Sequence, residues 1–224
     1  MKLLALETAT ESCSVALWQD GEILERFETG ARRQTALVLP MVEAVLAEAG
    51  CRLAQMDAIA FGHGPGAFTG VRVAVSVAQG LGFAIDRPLI GVSTLGACAH
   101  SAAQAHGDGD WLVAFDARMG ELYLGAWRVR GSAVEPLLQD CLAAPDALPD
   151  LPGDGWRGAG SGAPYWPALQ QRYPALTAWH GEVQPRAASV AVLAEPCWHR
   201  GETTPAAQAQ PVYLRDRVIQ GAVR

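Results

Sequence analysis

The sequence predicts an α/β fold built as two related lobes. Its first half alternates short apolar runs with amphipathic stretches in the order β-β-β-α-β-α-β-α. A strand, turn, strand pattern at the N-terminus then recurs, since residues 112–116 resemble residues 3–7 and residues 124–127 resemble residues 15–18. Such a repeat indicates a duplicated unit, although two amphipathic hairpins also resemble one another by chance.

The first lobe is predicted to open with a three-stranded meander. Apolar runs at residues 3–6 and 14–18 lie on either side of small polar residues, which is typical of two strands joined by a turn. Asp20 and Gly21 suit the positive φ angles of a tight hairpin, after which a third strand follows at residues 23–27.

A helix is predicted next, over residues 37–49, because apolar residues recur there at helical spacing and Gly50 follows as a natural stop. Pro40 has no backbone N–H and costs a helix one hydrogen bond unless it lies in the first turn. The helix should therefore begin near Leu37.

A second helix is predicted over residues 69–84, between buried strands at 58–61 and 89–92. Every fourth residue on one of its faces is small, which allows another helix to approach closely. These small residues are Gly70, Ala74, Ala78 and Gly82. A third helix follows the second of the two strands and reaches about His106.

The expected lobes are residues 1–106 and residues 107–224. The later part of the second lobe is rich in Pro and Gly and is predicted to form loops around short elements, a helix near 187–199 and a closing strand at 212–214. Whether the closing segment, residues 206–224, packs back on the first lobe is left open.

Composition predicts a cytoplasmic protein with reduced thiols. The start meets an acidic residue too early for a secretory signal, and no later stretch is expected to be apolar long enough to span a membrane. The five cysteines include no C-x-x-C pair. A net charge of -6 gives no broad field for nucleic acid, so contact with RNA would need a partner or a local basic patch. The candidates for such a patch are Arg32, Arg33, Arg215, Arg217 and Arg224.

Residues 62–72 carry the most informative motif. Gly64 and Gly66 allow close backbone approach, and a helix beginning near Thr69 would direct its free N–H groups at whatever occupies the loop. The motif matches neither the P-loop nor the dinucleotide fingerprint. On this basis a turn that seats the helix and an anion site are both open.

The loop sequence GPGAFTGVR, at residues 64–72, resembles the G-P-G-S-F-T-G-x-R signature of the TsaB (YeaZ-like) family, with Ala67 in place of the usual serine. Further segments match the family in the same order along the chain. They are LETAT at 6–10, IGVSTL at 90–95, DARMGELY at 116–123 and PVYLR at 211–215.

This resemblance implies an actin-like, Hsp70-ATPase-like (ASKHA, RNase H-like) fold of two related lobes. It also implies a non-catalytic scaffold or activator subunit of the complex that forms N6-threonylcarbamoyladenosine (t6A) at position 37 of tRNA. The implied partners are TsaD, which is the catalytic paralogue, and the ATPase TsaE, with tRNA reached only through the complex. ATP or ADP at the interface of that complex is left open.

The sequence assigns no catalytic residue and no metal site. TsaD relatives bind a metal through H-x-x-x-H, which places two imidazoles on one helical face, and no two of the five histidines here stand four apart. Glu7 and Asp116 end corresponding predicted strands, at a position where actin-like ATPases hold carboxylates near magnesium. Glu7 is one methylene longer than the Asp usual in the family, so we expect a structural carboxylate there.

The glycine-rich loop is therefore predicted to be a vestigial nucleotide or anion site. Its candidate residues are Thr8, Ser12, Gly64, Gly66, Thr69, Gly70 and Asp116. Residues 158–162 are a candidate vestige of an adenosine pocket. The main alternative is a stand-alone actin-like ATPase or phosphotransferase that uses these residues around Mg-ATP. A glycoprotease-like peptidase is a weaker alternative, because the sequence shows neither a metal pair nor an ordered serine triad.

The leading hypothesis is that the first two helices form the partner interface with TsaD. A small-residue face beside an apolar stripe can bury a partner's helix, although packing within the chain explains the same pattern. The candidate contact residues are Leu37, Met41, Val45, Gly70, Val73, Ala74, Val77, Ala78 and Leu81. The same face predicts a homodimer when TsaD is absent.

Overall fold

The computed structural model describes residues 1–30 and 33–215. The strands of the first lobe are β1 Lys2–Glu7, β2 Cys13–Gln19, β3 Glu22–Glu28, β4 Ala58–Gly62 and β5 Leu89–Val92. They form one sheet in the order β3-β2-β1-β4-β5, in which an antiparallel meander continues into two parallel strands. Asp20 and Gly21 have φ angles of 52° and 91°, which confirms the predicted hairpin turn. The predicted patch residues Arg32, Arg217 and Arg224 and the end of the closing segment, 216–224, lie outside the described residues.

The helices of the first lobe are α1 Gln34–Glu48, α2 Phe68–Ile85 and α3 Thr94–His106. The second and third agree with the prediction, but α1 begins earlier than the predicted start at Leu37 and contains Pro40 in its interior. Pro40 is exposed, so water can hydrate the carbonyl that loses its N–H donor. The cost of proline is therefore smaller here than the sequence argument assumed.

The second lobe repeats the strand order of the first. Its strands are β6 Gly109–Arg118, β7 Glu121–Arg130, β8 Ala133–Ala143, β9 Arg157–Ala159 and β10 Trp179–His180. The order is β8-β7-β6-β9-β10, again an antiparallel meander that continues into parallel strands. This repetition confirms the two related lobes of an actin-like α/β fold.

Strand β8 was not predicted, because the chain beyond Pro136 is rich in Pro and Gly and was expected to form loops around short elements. Pro136 lies opposite Trp127 at a register shift on the edge of the sheet, where a missing N–H breaks no central ladder bond. Two further helices are α4 Trp166–Arg172 and α5 Ala187–His199. The predicted closing strand at 212–214 is wrong, because those described residues form no strand and the Val212 N–H bonds only the His63 carbonyl at 2.8 Å.

Each lobe covers the inner face of the other lobe's sheet with its last helix. Helix α3 packs Leu95, Ala99 and Ala102 against β6 and β7 of the second sheet. Helix α5 packs Val190 and Ala194 against β1 and β2 of the first sheet. Because α3 and α5 each pack on the sheet of the other lobe, we call them the exchanged helices. They also contact one another, so they bury the core between the two sheets.

The N-terminus of each exchanged helix is held by a serine and a carboxylate. The Ser93 hydroxyl accepts the Gly96 N–H at 3.0 Å and donates to Asp140, on β8, at 2.5 Å. Ser14, on β2, accepts the first N–H of α5 at 3.0 Å and donates to Glu25, on β3, at 2.7 Å. Since β3 and β8 hold the same place in their sheets, the position of the carboxylate is duplicated. The serine is not, because Ser93 is the N-cap residue of α3 whereas Ser14 lies on β2.

Helix α2 contradicts the expectation that no segment is apolar and long enough to span a membrane. By length and apolar content it could cross a membrane, whereas the sequence argument expected no such segment. It instead packs one face on the first sheet, which is common for an amphipathic helix on an α/β core. The division into residues 1–106 and 107–224 stays a prediction, and both α5 and Ala209 pack on the first sheet.

Candidate functional site

The glycine-rich loop packs tightly on the turn that follows β1. The Thr8 hydroxyl donates to the Gly70 carbonyl at 2.7 Å, and the Ala67 N–H donates to the Ala9 carbonyl at 2.7 Å. A Cβ added at Gly66 would lie 2.4 Å from the Ala9 carbonyl oxygen, and one at Gly70 would lie 2.1 Å from that of Thr8. These two glycines are therefore required by close contact within the chain.

Glu7 lies at the bottom of this loop and is fully buried. Its carboxylate accepts the Ala9 N–H at 2.7 Å and the Thr94 hydroxyl at 3.2 Å, and Gly62 leaves the space that the carboxylate occupies. Burial raises the pKa of the Glu7 carboxyl to about 7, although the hydrogen bonds from Ala9 and Thr94 act in the opposite direction. A group so enclosed has no access to a substrate in this conformation.

The other titratable groups around Glu7 are also held neutral by burial. Burial lowers the pKa of His63 to about 4 and raises the pKa of the Cys13 thiol to about 12. Burial likewise raises the pKa of Cys98. The surroundings of Glu7 thus supply neither a cationic imidazole nor a thiolate.

Asp116 belongs to a separate arrangement in the second lobe. Its carboxylate accepts the Arg118 backbone N–H at 2.8 Å and the Tyr165 hydroxyl at 3.3 Å, and its own N–H donates to the Ser161 hydroxyl. Within residues 1–30 and 33–215, all its hydrogen bonds go to the second lobe. The site predicted from sequence therefore divides into two parts.

The other predicted loop residues also have partners within the chain. The Ser12 hydroxyl is 2.9 Å from that of Thr10, and the Gly64 N–H donates to the Thr94 hydroxyl at 3.2 Å. Thr69 is exposed at the first turn of α2. Together, these contacts favour the first of the two alternatives, which is a turn that seats the helix, and not an anion site.

The proposed adenosine vestige at 158–162 is occupied by aromatic side chains. A Cβ at Gly158 would lie 2.1 Å from the Trp179 ring, and one at Gly160 would lie 2.8 Å from the Phe115 ring. The Trp179 indole N–H also donates to the Gly160 carbonyl at 2.9 Å. The segment is thus a packed part of the second lobe, which corrects the suggestion of a pocket.

The small-residue face of α2 points inward, which corrects part of the predicted interface. Gly70, Ala74, Ala78 and Val45 are all buried against the first sheet, so they offer no surface to a partner. The predicted contact residues that remain accessible are half-buried along the seam between α1 and α2. They are Leu37, Met41, Val73, Val77 and Leu81.

Small and apolar residues continue from this seam across the solvent face of α2. Ser76 and Gly80 are exposed on α2, and Phe83, farther round the same helix, has 76% of its surface accessible. We call the seam residues together with these three the α1–α2 surface. The exposed small residues were missed because the repeat of buried glycine and alanine gave the stronger sequence signal.

The strap formed by residues 211–215 joins the two lobes. The sequence left open whether the closing segment packs on the first lobe, and it gave no sign of the contact with the second. The Tyr213 hydroxyl accepts the Arg72 Nε at 2.7 Å, and the Arg72 guanidinium lies 3.4 Å from the centre of the Phe68 ring. Arg215 pairs with Glu121 of the second lobe at 2.7 Å. Arg215 therefore has a structural partner, although its sequence suggested a basic patch.

Ser189 and His100 form a buried pair that the sequence did not reveal. The Ser189 hydroxyl is 2.9 Å from His100 Nδ1 and 2.8 Å from the Ser101 hydroxyl, while Gln104 occupies the other ring nitrogen at 3.4 Å. Burial lowers the pKa of His100. No carboxylate among the described residues bonds this imidazole, so the pair is not a catalytic triad.

Three potential metal ligands come together elsewhere, on the second lobe. They are His106, His180 and Glu182. They share no residue with the loop or with the α1–α2 surface.

Comparisons with known proteins agree on one group of relatives. A family model described as "TsaD: tRNA N6-adenosine threonylcarbamoyltransferase" matches residues 28–168. The "tRNA threonylcarbamoyladenosine biosynthesis protein TsaB" of Escherichia coli (strain K12) is 39% identical, over 97% of this chain and 96% of its own. The protein of the same description from Haemophilus influenzae is 37% identical, over 97% and 95%. The solved structure "YeaZ from Pseudomonas aeruginosa" has a TM-score of 0.86 and 42% identity, over 95% of this chain and 99% of that one.

Proposed function

Because the chain belongs to the TsaB (YeaZ-like) family, we propose that it is a non-catalytic scaffold and activator subunit in the biosynthesis of t6A on tRNA. In this proposal it pairs with TsaD, works with TsaE and reaches tRNA only through the complex. We also propose that it acts in the cytoplasm. The observation that carries the proposal is the α1–α2 surface, which combines exposed apolar side chains with small residues on the outer face of the first lobe.

The α1–α2 surface has the chemistry of a helix-docking site. Val73, Val77 and Leu81 form a half-buried apolar row along α2, and the exposed Ser76 and Gly80 beside them would let a partner's helix come close. Phe83, exposed on the outer side of α2, is a large side chain that a partner could bury. Without TsaD, a second copy of the chain is the partner that the same surface would take, which gives a homodimer.

The proposal of a non-catalytic role is supported by the state of the carboxylates. Glu7 is sealed beneath the loop, and Asp116 is bonded within the second lobe, so the residues named for Mg-ATP do not form one site. ATP or ADP at the interface with TsaD stays open within this proposal. Calorimetry with Mg-ATP tests both points: the isolated chain should give no turnover, and any binding should require TsaD.

Gly80→Arg is the sharpest test of the docking surface. A Cβ at Gly80 meets nothing within 4 Å, so the substitution should leave the fold intact while placing a long charged side chain on the surface. We expect TsaD capture in a pull-down to fall by about ten-fold or more, since an unpaired charge would be buried at the interface. The homodimer should dissociate in analytical ultracentrifugation.

Ala105→Arg provides the matched control, because Ala105 is also exposed on a helix but lies on α3. It should bind TsaD normally and support t6A formation in a reconstituted reaction with TsaD, TsaE, the adenylate-forming synthase and tRNA. Normal capture and activity of the Gly80→Arg protein would overturn the proposed surface. Modification of tRNA by this chain without TsaD would overturn the non-catalytic role.

A further inference from the structure

A cluster of two imidazoles and one carboxylate lies at the edge of the second lobe, away from the α1–α2 surface. His106 is the last residue of α3, His180 ends the edge strand β10, and Glu182 follows in the next turn. One oxygen of Glu182 lies 3.5 Å from His106 Nε2 and 3.7 Å from His180 Nδ1. All three potential ligand atoms lie within 4.8 Å of one another.

These separations approach those of a zinc site. Nitrogen and oxygen ligands bind Zn²⁺ at about 2.0–2.2 Å in a tetrahedron, which places neighbouring ligand atoms about 3.4 Å apart. Both distances to Glu182 are within a few tenths of an ångström of that value. The imidazoles are stacked with centroids 3.7 Å apart and an interplanar angle of 26°, so each ring would have to rotate by roughly 40–50° to turn both lone pairs towards one ion.

The surroundings hold the cluster in place and expose its open side. The fully buried Trp111 lies beside both imidazoles, with ring centroids 6.3 Å from His106 and 5.7 Å from His180. His106 also stands at the C-terminus of α3, where the helix dipole favours a cation. Glu182 is largely exposed, so an ion and a water ligand could reach the cluster from solvent.

Arg157 is the nearby charge that opposes a cation. Its guanidinium donates to the carbonyls of His106, Gly107 and Asp108 at 2.5–2.7 Å and lies over the Trp111 ring. Three carbonyl oxygens at the end of α3 therefore surround this charge. The Glu182 carboxylate supplies the compensating charge on the side of the two imidazoles.

We propose that His106, His180 and Glu182 form a surface site for Zn²⁺ or a similar nitrogen-preferring divalent metal, with water in the remaining position. Two imidazoles with one carboxylate suit zinc, nickel or cobalt better than magnesium or calcium, which prefer oxygen ligands. The ion would tie the end of α3 to the edge of the second sheet. The proposal does not depend on the partnership with TsaD.

Zinc titration of the metal-stripped full chain, in competition with a chromophoric indicator, tests the site. We expect a single equivalent to bind and to raise the melting temperature, because the ion binds only the folded arrangement. His180→Phe keeps a ring stacked on His106 and Trp111 but removes the ligand nitrogen. It should weaken zinc binding by about 100-fold or more, since loss of a direct ligand exceeds the loss of an outer partner.

His199→Phe is the matched control, because His199 also pairs with a glutamate, Glu195, at 3.0 Å, and no third ligand lies beside it within the described part of the chain. It should bind zinc as the unaltered chain does, and Mg²⁺ should not compete in either protein. Absence of zinc binding to the unaltered chain would overturn the proposal. So would binding that survives in a His106→Phe, His180→Phe double variant, or that is lost equally in the His199→Phe control.

Discussion

The two lobes repeat one strand order but finish their first strands in opposite ways. Strand β1 ends at Glu7, whose carboxylate is fully buried beneath the glycine-rich loop. The corresponding position in β6 is Asp116, whose side chain is 26% exposed and pairs with Arg118. The repeated topology thus preserves the place of the carboxylate, while the loop packed over it decides whether solvent can reach it.

The lobes also differ in how completely their own chain covers the outer face of each sheet. The first sheet is covered by two long helices whose seam stays half-exposed, whereas the second is covered by the short α4 and by aromatic residues from the loops around it. The side chains of Trp156 and Tyr173 in this layer are almost completely buried. The second lobe is closed by its own chain, and the first presents an apolar surface that suits a partner.

The largest predicted difference concerns the glycines that pack on the two strand ends. Gly70→Ala would place a Cβ 2.1 Å from the Thr8 carbonyl oxygen, so we expect a loss of about 3 kcal/mol or more in the free energy of unfolding. Gly162→Ala would bring a Cβ 2.8 Å from the Cβ of Ala114, which is a milder overlap, and should cost about 1–2 kcal/mol. Urea unfolding measures both losses in the free energy of unfolding, compared at the same dependence of that free energy on urea concentration.

Gly80→Ala is the control within the same helix as Gly70. Its Cβ meets nothing within 4 Å, so the substitution should stabilise the protein by about 0.5–1 kcal/mol through helix propensity alone. If Gly70→Ala cost no more than Gly162→Ala, the first-lobe loop would not be the tighter of the two.

The next prediction uses pH to separate the two carboxylates. The pKa of Glu7 is about 7 in the folded chain and near 4.5 for a free carboxyl, so the native state binds more protons between these values. Its contribution to stability is complete below about pH 4.5 and is lost as the pH rises through about 7. Glu7→Gln stays neutral, so its free energy of unfolding should exceed that of the unaltered chain by about 3 kcal/mol at pH 8, but not at pH 4.

Asp116→Asn is the counterpart in the second lobe and should have the opposite sign at pH 8. It removes the partner of the Arg118 guanidinium, 3.1 Å away, and relieves no buried charge. Chemical denaturation at both pH values compares the two variants. A Glu7→Gln protein that loses stability at pH 8 would show that the buried carboxylate is charged and stabilising.

The smallest predicted effects concern a feature that the lobes share. Ser93→Ala removes the N-cap side chain of α3 and should cost about 1 kcal/mol. Ser14→Ala should cost less, because Glu25 still accepts the Ala188 N–H at the start of α5. Thr69→Ala is the control, since the N-terminus of α2 has no side-chain cap. Equal losses in thermal unfolding would contradict this difference between the two helix starts.

Much of this fold follows from the sequence alone. Periodicity, the Asp20-Gly21 turn and the repeated apolar runs predicted the order of elements in the first lobe and the duplication, because these signals depend on neighbouring residues. The family resemblance rests on short motifs of the same kind. Strand β8 was missed because the Pro and Gly content of that stretch was judged without knowing that Pro136 would lie at a sheet edge.

Burial and direction were decided only by the tertiary structure. The sequence showed that Gly70, Ala74 and Ala78 form one helical face, but not that this face would point to the chain's own sheet. It also gave no sign that the final helices exchange sheets, or that His106 and His180 would meet. Each of these depends on contacts between residues far apart in the chain, which local patterns of polarity and spacing do not encode.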